Sequence, residues 1–190
     1  MHTTEELLTR AYIESLGFYT CFVPTGLKDS GPELKRLNAQ NKRENLGATD
    51  LKFGFQLFSA DLQKLESVSI LLPPWASSTW EASALKNSKR LAATIKKGVK
   101  TLKLEGLEKA DGQRILMAVP AWPTAEGDRA QSLDLIKKLG LDGVITFRSM
   151  LNKLAMSADA PISDGNPALG TLKILKAFQL LADPQRDFFS

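Results

Sequence analysis

Hydrophobic positions along this chain switch repeatedly between a helical spacing and a two-residue alternation. Leu7, Leu8, Ala11, Tyr12 and Leu16 recur every three or four residues, with Thr3 or Thr4 as N-cap ahead of Glu5 and Glu6. That spacing predicts an amphipathic helix over residues 4–16, closed by Gly17. Residues 18–23 are aromatic and β-branched and stop at Pro24 and Gly26, as a strand does. Residues 25–47 are polar and of mixed charge, which predicts a loop or a short helix begun at Pro32. From residue 50 to 58, Leu51, Phe53, Phe55 and Leu57 alternate with Lys52, Gly54 and Gln56, the pattern of a half-exposed strand. Residues 68–72 are apolar on both faces and predict a central strand with helices on either side. The short connection 59–67 would join these two strands as a hairpin.

Pro73 and Pro74 end that strand, and Leu85, Ser88, Ala92, Ile95, Val99 and Leu102 then step by three and four residues along a long helix. Further on, the pattern predicts a buried strand at 115–119, a helix at 130–139 ended by Gly140, a short strand at 144–147 and a helix at 148–155. A Pro-, Gly-, Asp- and Ser-rich connection at 159–167 leads to a last helix at 169–181. Strands alternating with helices in this way predict an α/β fold, a mixed central sheet flanked by helices. One domain is expected over residues 1–157, with 158–190 a linker and a C-terminal helix packing on the same domain. Val23-Pro24-Thr25-Gly26-Leu27, after the first strand, carries neither G-x-G-x-x-G nor the Walker lysine pattern, so dinucleotide and NTP binding are disfavoured.

Composition narrows the chemistry. The 190 residues, 43% hydrophobic, suit one well-buried core. The apolar runs are too short to cross a bilayer, and residues 1–6 lack a basic n-region and an apolar h-region, so a soluble, unsecreted, cytoplasmic protein without membrane association is expected. A single cysteine, Cys21, and a single histidine, His2, exclude an internal disulfide and the zinc sites that need several such ligands. Cys21, in an apolar strand-like stretch, is expected to be a buried structural thiol. With no histidine placed to activate a serine or cysteine, carboxylate chemistry with Mg²⁺ or Mn²⁺ is the remaining metal mechanism.

The net charge of +4 is unevenly spread. Between residues 83 and 103 stand Lys86, Lys89, Arg90, Lys96, Lys97, Lys100 and Lys103 with no acid among them. Subtracting these seven from the net +4 leaves about −3 for the remainder, so the basicity belongs to one element. A lysine-rich helix face is ordinarily solvated surface. Ordinary surface helices mix signs through i,i+4 pairs, however, and a run without an acid is suited to following a phosphate backbone.

The order of elements, together with Leu16-Gly17-Phe18-Tyr19, Gly47-Ala48-Thr49-Asp50-Leu51 and Asp142-Gly143-Val144-Ile145-Thr146-Phe147, resembles the PD-(D/E)XK restriction-endonuclease-like superfamily over residues 4–156. The resemblance implies a helix, three strands, a helix, a strand, a helix and a strand, followed here by a C-terminal helical extension. It also implies an Asp near the start of the second core strand and an acid-x-Lys triplet on the third, which together hold a divalent ion and activate water. Asp50 matches the first of these. The third strand reads Ser69-Ile70-Leu71-Leu72-Pro73, so with Trp75 as the aromatic that follows it, Leu71 takes the acid's place and Pro73 the lysine's. Neither can bind a metal or move a proton.

These observations lead to a catalytically degenerate, nuclease-like domain, a pseudoenzyme that binds nucleic acid or serves as a non-catalytic subunit of a nucleic-acid-processing complex. Lys86, Lys89, Arg90, Lys96, Lys97 and Lys100 would contact phosphates of DNA or RNA, Asp50 would be a relic, and no cofactor is expected. A second expectation is a Mg²⁺- or Mn²⁺-dependent nuclease in which Glu66, Glu81 and Lys52 or Lys86 supply the relocated groups around Asp50. A third is a protein-interaction module whose basic helix docks on an acidic partner. Trp75, Trp80 and Trp122 lie in loops after strands and are candidates for base stacking or for packing. The C-terminal helix with Phe188 and Phe189 is expected to cap the core or to form a homodimer interface.

Overall fold

The computed structural model of the protein describes residues 3–23, 34–43, 54–73, 89–103, 113–121, 123, 125–156 and 167–177. Among them the chain forms α1 (Thr4–Ser15), β1 (Phe18–Val23), β2 (Lys35–Asn41), α2 (Ser59–Leu62), β3 (Ser67–Leu72), α3 (Lys89–Leu102), β4 (Gln113–Val119), α4 (Glu126–Lys138), β5 (Gly143–Thr146), α5 (Phe147–Met156) and α6 (Pro167–Ala177). The five strands make one mixed sheet in the order β1-β2-β3-β4-β5. β2 runs antiparallel to both β1 and β3, while β3, β4 and β5 run parallel. The fold is α/β, with helices on both faces of the sheet.

β3 occupies the centre and is buried on both sides. Val68, Ile70 and Leu72 join Leu37, Ala39, Leu116 and Ala118 in a cluster with Leu8, Tyr12 and Ile13 of α1, Met150 and Leu154 of α5, and Leu169 and Leu172 of α6. Leu71 points the other way, into a second cluster with Ile115, Met117 and Val119 of β4, Leu91, Ile95, Val99 and Leu102 of α3, and Ile136 of α4. The period-two geometry of a strand divides its side chains between the two layers in this way. α3 approaches closely at Gly98, where a Cβ would stand 2.7 Å from Leu34 Cδ2 and 3.9 Å from Leu71 Cδ1.

β2 corrects the expectation of a loop or helix over residues 25–47. Its sequence, Lys35-Arg36-Leu37-Asn38-Ala39-Gln40-Asn41, is poor in strand formers, yet it pairs along its length with both neighbours. Leu37 and Ala39 meet the core, and three of the polar residues have side-chain partners. Lys35 Nζ lies 2.7 Å from the buried Glu6 carboxylate, Ser69 Oγ donates to Asn38 Oδ1 at 2.9 Å, and Asn41 Nδ2 donates to the Leu65 carbonyl at 3.0 Å. Tertiary pairing thus outweighs local preference.

The strand expected at 50–58, and its hairpin with 68–72, are corrected as well. In the described part, residues 54–58, only Gln56 bridges, and it does so in parallel to Val144 of β5 at the far edge of the sheet. Leu57 N–H donates to the Val144 carbonyl and Val144 N–H to the Phe55 carbonyl, each at 2.9 Å. Gly143 admits this crossing, since a Cβ there would lie 2.8 Å from the Phe55 carbonyl oxygen. The antiparallel neighbour of β3 is β2, and α2 breaks the connection that was read as a turn. Helix α4 begins at Glu126, four residues before the apolar periodicity does, and Phe147 opens α5 rather than ending β5, because the Thr146 hydroxyl accepts from Ser149 N–H as a cap.

Tyr12 of α1 is 1% exposed and its hydroxyl donates to Ser59 Oγ at 3.5 Å. Burial raises its pKa above the ordinary value of 10.0, Asp61 nearby acts in the same direction, and the Ser59 hydrogen bond offsets part of this. A raised pKa in the folded state means the neutral phenol stabilises the fold fully below pH 10 and that this contribution is lost as pH rises toward the folded value. Urea unfolding between neutral pH and pH 11 should therefore show stability falling above about pH 10, with a smaller fall in Tyr12→Phe. Equal pH slopes in the two proteins would contradict this placement of Tyr12.

Candidate nucleic-acid interface

The amphipathic pattern of α3 has one physical outcome: with Leu91, Ile95, Gly98, Val99 and Leu102 buried against the sheet, its bases point outward. Lys89, Arg90, Lys96, Lys97 and Lys100 are all exposed, and Lys103, just past the helix, is half-buried. At 3.6 residues per turn, Lys89, Lys96 and Lys100 fall within an arc of about 40°, and they span roughly 16 Å of helix axis. Arg90 and Lys97 lie together to one side of this row. Lys96 and Lys100, spaced i,i+4, and Lys97 and Lys100, spaced i,i+3, are like-charge neighbours that each cost about 0.3 kcal/mol in an isolated helix. Elsewhere in the structure Arg10 pairs with Glu14 at 2.8 Å and Lys35 with Glu6 at 2.7 Å.

Of the other candidates, Glu66 is exposed just before β3, where its carbonyl accepts from Asn41 N–H at 2.8 Å. Asp50, Lys52, Glu81 and Lys86 lie outside the described residues, as do Trp75, Trp80, Trp122, Phe188 and Phe189. Asp50 was matched to the start of a second core strand, but the second strand of the sheet is β2, which begins at Lys35. On the third strand, Leu71 is fully buried in the apolar layer beneath α3, so the position matched to a catalytic acid is occupied by core packing. Asp142, in one of the motifs that carried the resemblance, accepts from Ile115 N–H through Oδ2 at 2.7 Å and ties the start of β5 to β4. Among the described residues no group of three His, Cys, Asp or Glu side chains is placed to hold a metal ion. No helix among them is long and apolar enough to cross a membrane.

Cys21 is exposed, not buried as expected. Alternation along β1 sends Phe18 and Phe22 to the α1 layer, and Tyr19 and Cys21 to the opposite face at the sheet edge. The same parity places Arg36 and Asn38 of β2, and Ser69 of β3, on the face that carries α3, since cross-strand partners share a face and Arg36 pairs with Leu71. Arg36 is 6% exposed and Ser69 is fully buried. The side of the sheet that holds α3 therefore changes from apolar under the helix to polar across β2. The alternation of residues 18–23 was the available signal for this face, but it has no meaning until the pairing of β2 is known.

Comparison of the chain with protein-family models, with curated proteins and with solved structures finds no match. The chemistry of the side chains is what defines the site: an ordered row of cations on a rigid helix, seated on the sheet through an apolar underside.

Because Lys89, Lys96 and Lys100 are exposed on the outer face of α3, reversing them should leave stability nearly intact. The variant Lys89→Glu, Lys96→Glu, Lys100→Glu is expected to unfold within about 0.5 kcal/mol per substitution of the wild type in urea. A loss of several kcal/mol would place those side chains in packing rather than on a free face.

Proposed function

We propose that the protein binds nucleic acid through the outer face of α3, without catalysing its cleavage, as a nuclease-like domain that has lost its chemistry. The observation that carries this reading is the exposed row Lys89, Lys96 and Lys100, flanked by Arg90 and Lys97, on a helix without a single acid. A phosphate backbone meets such a row with several charges at once and releases its condensed counterions, which makes affinity steep in salt and nearly indifferent to sequence. Repulsion between like-charged neighbours on the helix is relieved by the same polyanion.

The restriction-endonuclease-like ancestry is supported by the element order: a helix, three strands with the short α2 before the third, the basic helix, a strand, a helix and a strand. The loss of catalysis is supported by Leu71, whose burial in the apolar layer leaves no place for a metal-binding carboxylate at that point of β3. Asp50 enters this reading only as a relic.

With about four phosphates neutralised, log Kd should rise against log salt with a slope of about 3 to 4, a loss of roughly 100-fold in affinity between 50 and 200 mM. The triple charge-reversal variant should lose measurable binding at moderate salt, for DNA and RNA probes alike, with Mg²⁺ or with EDTA. Undiminished binding by that variant would overturn the proposal, and metal-dependent cutting of the probe would overturn its non-catalytic part.

A further inference from the structure

Tyr19 is the most exposed of the large hydrophobic side chains described, at 67%. It projects from the paired β1–β2 ladder near its end, not from a turn, and the register fixes its surroundings. Tyr19 stands directly across from Gln40, Gln40 from Ser67, and Ser67 from Gln113, so these four residues form one row across β1, β2, β3 and β4. Residues directly opposite one another share a face, and the face is set by Leu71, two residue pairs along β3 from Ser67, which packs under α3. Tyr19 and the exposed Gln40 are therefore on the side of the sheet that carries the basic helix. Lys42, next along this face beyond the end of β2, holds its ammonium 5.0 Å from the centre of the Tyr19 ring.

The same row bears on distance. β4 begins at Gln113, beside Ser67, so the crossover from β3 through α3 must bring the chain back to the sheet end at which Tyr19 lies. Tyr19 is two strand spacings from β3, roughly 10 Å. An exposed aromatic ring beside an ammonium group, on the same side of one sheet as a row of lysines, has the composition of a platform for a nucleic-acid strand: cations for its phosphates and a ring face for a base.

We propose that Tyr19, with Gln40 and Lys42 beside it, stacks an unpaired base of a single-stranded nucleic acid whose phosphates lie on α3. This rests on the reading of α3 as the nucleic-acid interface and adds to it a preference for unpaired over duplex strands. A duplex keeps its bases stacked on one another and offers Tyr19 no free ring face, so the tyrosine contributes only to single strands.

The test uses the full chain with labelled single-stranded DNA and RNA and the matching duplexes, and compares Tyr19→Thr, which keeps the strand preference but removes the ring, with Tyr19→Phe. Tyr19→Thr should weaken single-strand binding by roughly 5- to 100-fold at an unchanged salt slope, leave duplex binding as it was, and be rescued by Tyr19→Phe. If Tyr19→Thr binds single strands as the wild type does while the α3 charge-reversal variant does not bind, the stacking inference falls and the α3 interface stands. A Tyr19→Thr loss matched by a shallower salt slope would overturn stacking in favour of a charge contact through Lys42. Undiminished binding by the α3 variant would remove both.

Discussion

The burial of β3 on both faces is the constraint on which the rest of this structure depends. A central strand without a solvated side must be covered twice, and its alternating residues decide what covers it: Val68, Ile70 and Leu72 take the layer of α1, α5 and α6, and Leu71 takes α3. α3 must then present an apolar stripe to Leu71 and Leu34, with Gly98 allowing the close approach, and its bases Lys89, Arg90, Lys96, Lys97 and Lys100 are left on the exposed side. The basic face and the apolar character of position 71 are thus two consequences of one arrangement. The helix displays its lysines because its other side is committed to Leu71, and β3 carries no carboxylate there because the position belongs to the core.

Energetics favour this division. Burying a leucine such as Leu71 is worth about 2 kcal/mol, whereas an ionised carboxylate in the same apolar layer would carry a desolvation cost of several kcal/mol unless a metal or another cation met it. Several polar groups that enter the interior are matched with one another. Lys35 meets the buried Glu6 across the α1 layer, and Asn38 receives the Ser69 hydroxyl on the α3 side. These pairs allow β2, a strand of poor local preference, to stand between β1 and β3. They also turn the α3 side of the sheet from apolar to polar toward its edge, where Tyr19 is exposed.

Much of this was legible in the chain, and what was not has identifiable causes. The helical spacing of residues 4–16, the doubly apolar run at 68–72 and the basic amphipathic helix are each written in side chains that act locally, and all three elements form. β2 was hidden because its seven residues contain only two apolar side chains, and its strand character comes from partners some thirty residues onward in β3. The segment before α2 misled in the opposite sense. Phe55 and Leu57, two residues apart, pack into opposite layers at the far edge beside β5, so the spacing that reads as one strand face is not kept, and no local pattern reports which neighbour such a segment will pair with. Asp50 was assigned to the start of that segment, and it lies outside the described residues. Cys21 was misjudged because an apolar stretch does not report that its strand is the sheet edge.

The most direct test of the central claim is a lysine-reactivity footprint, in which the protein is acetylated in the presence and absence of single-stranded DNA or RNA and each lysine is followed by mass spectrometry. The account predicts protection concentrated at Lys89, Lys96, Lys97 and Lys100, while Lys173, exposed on α6 in the opposite layer, reacts as before. Protection spread evenly over the surface, or concentrated away from α3, would contradict it.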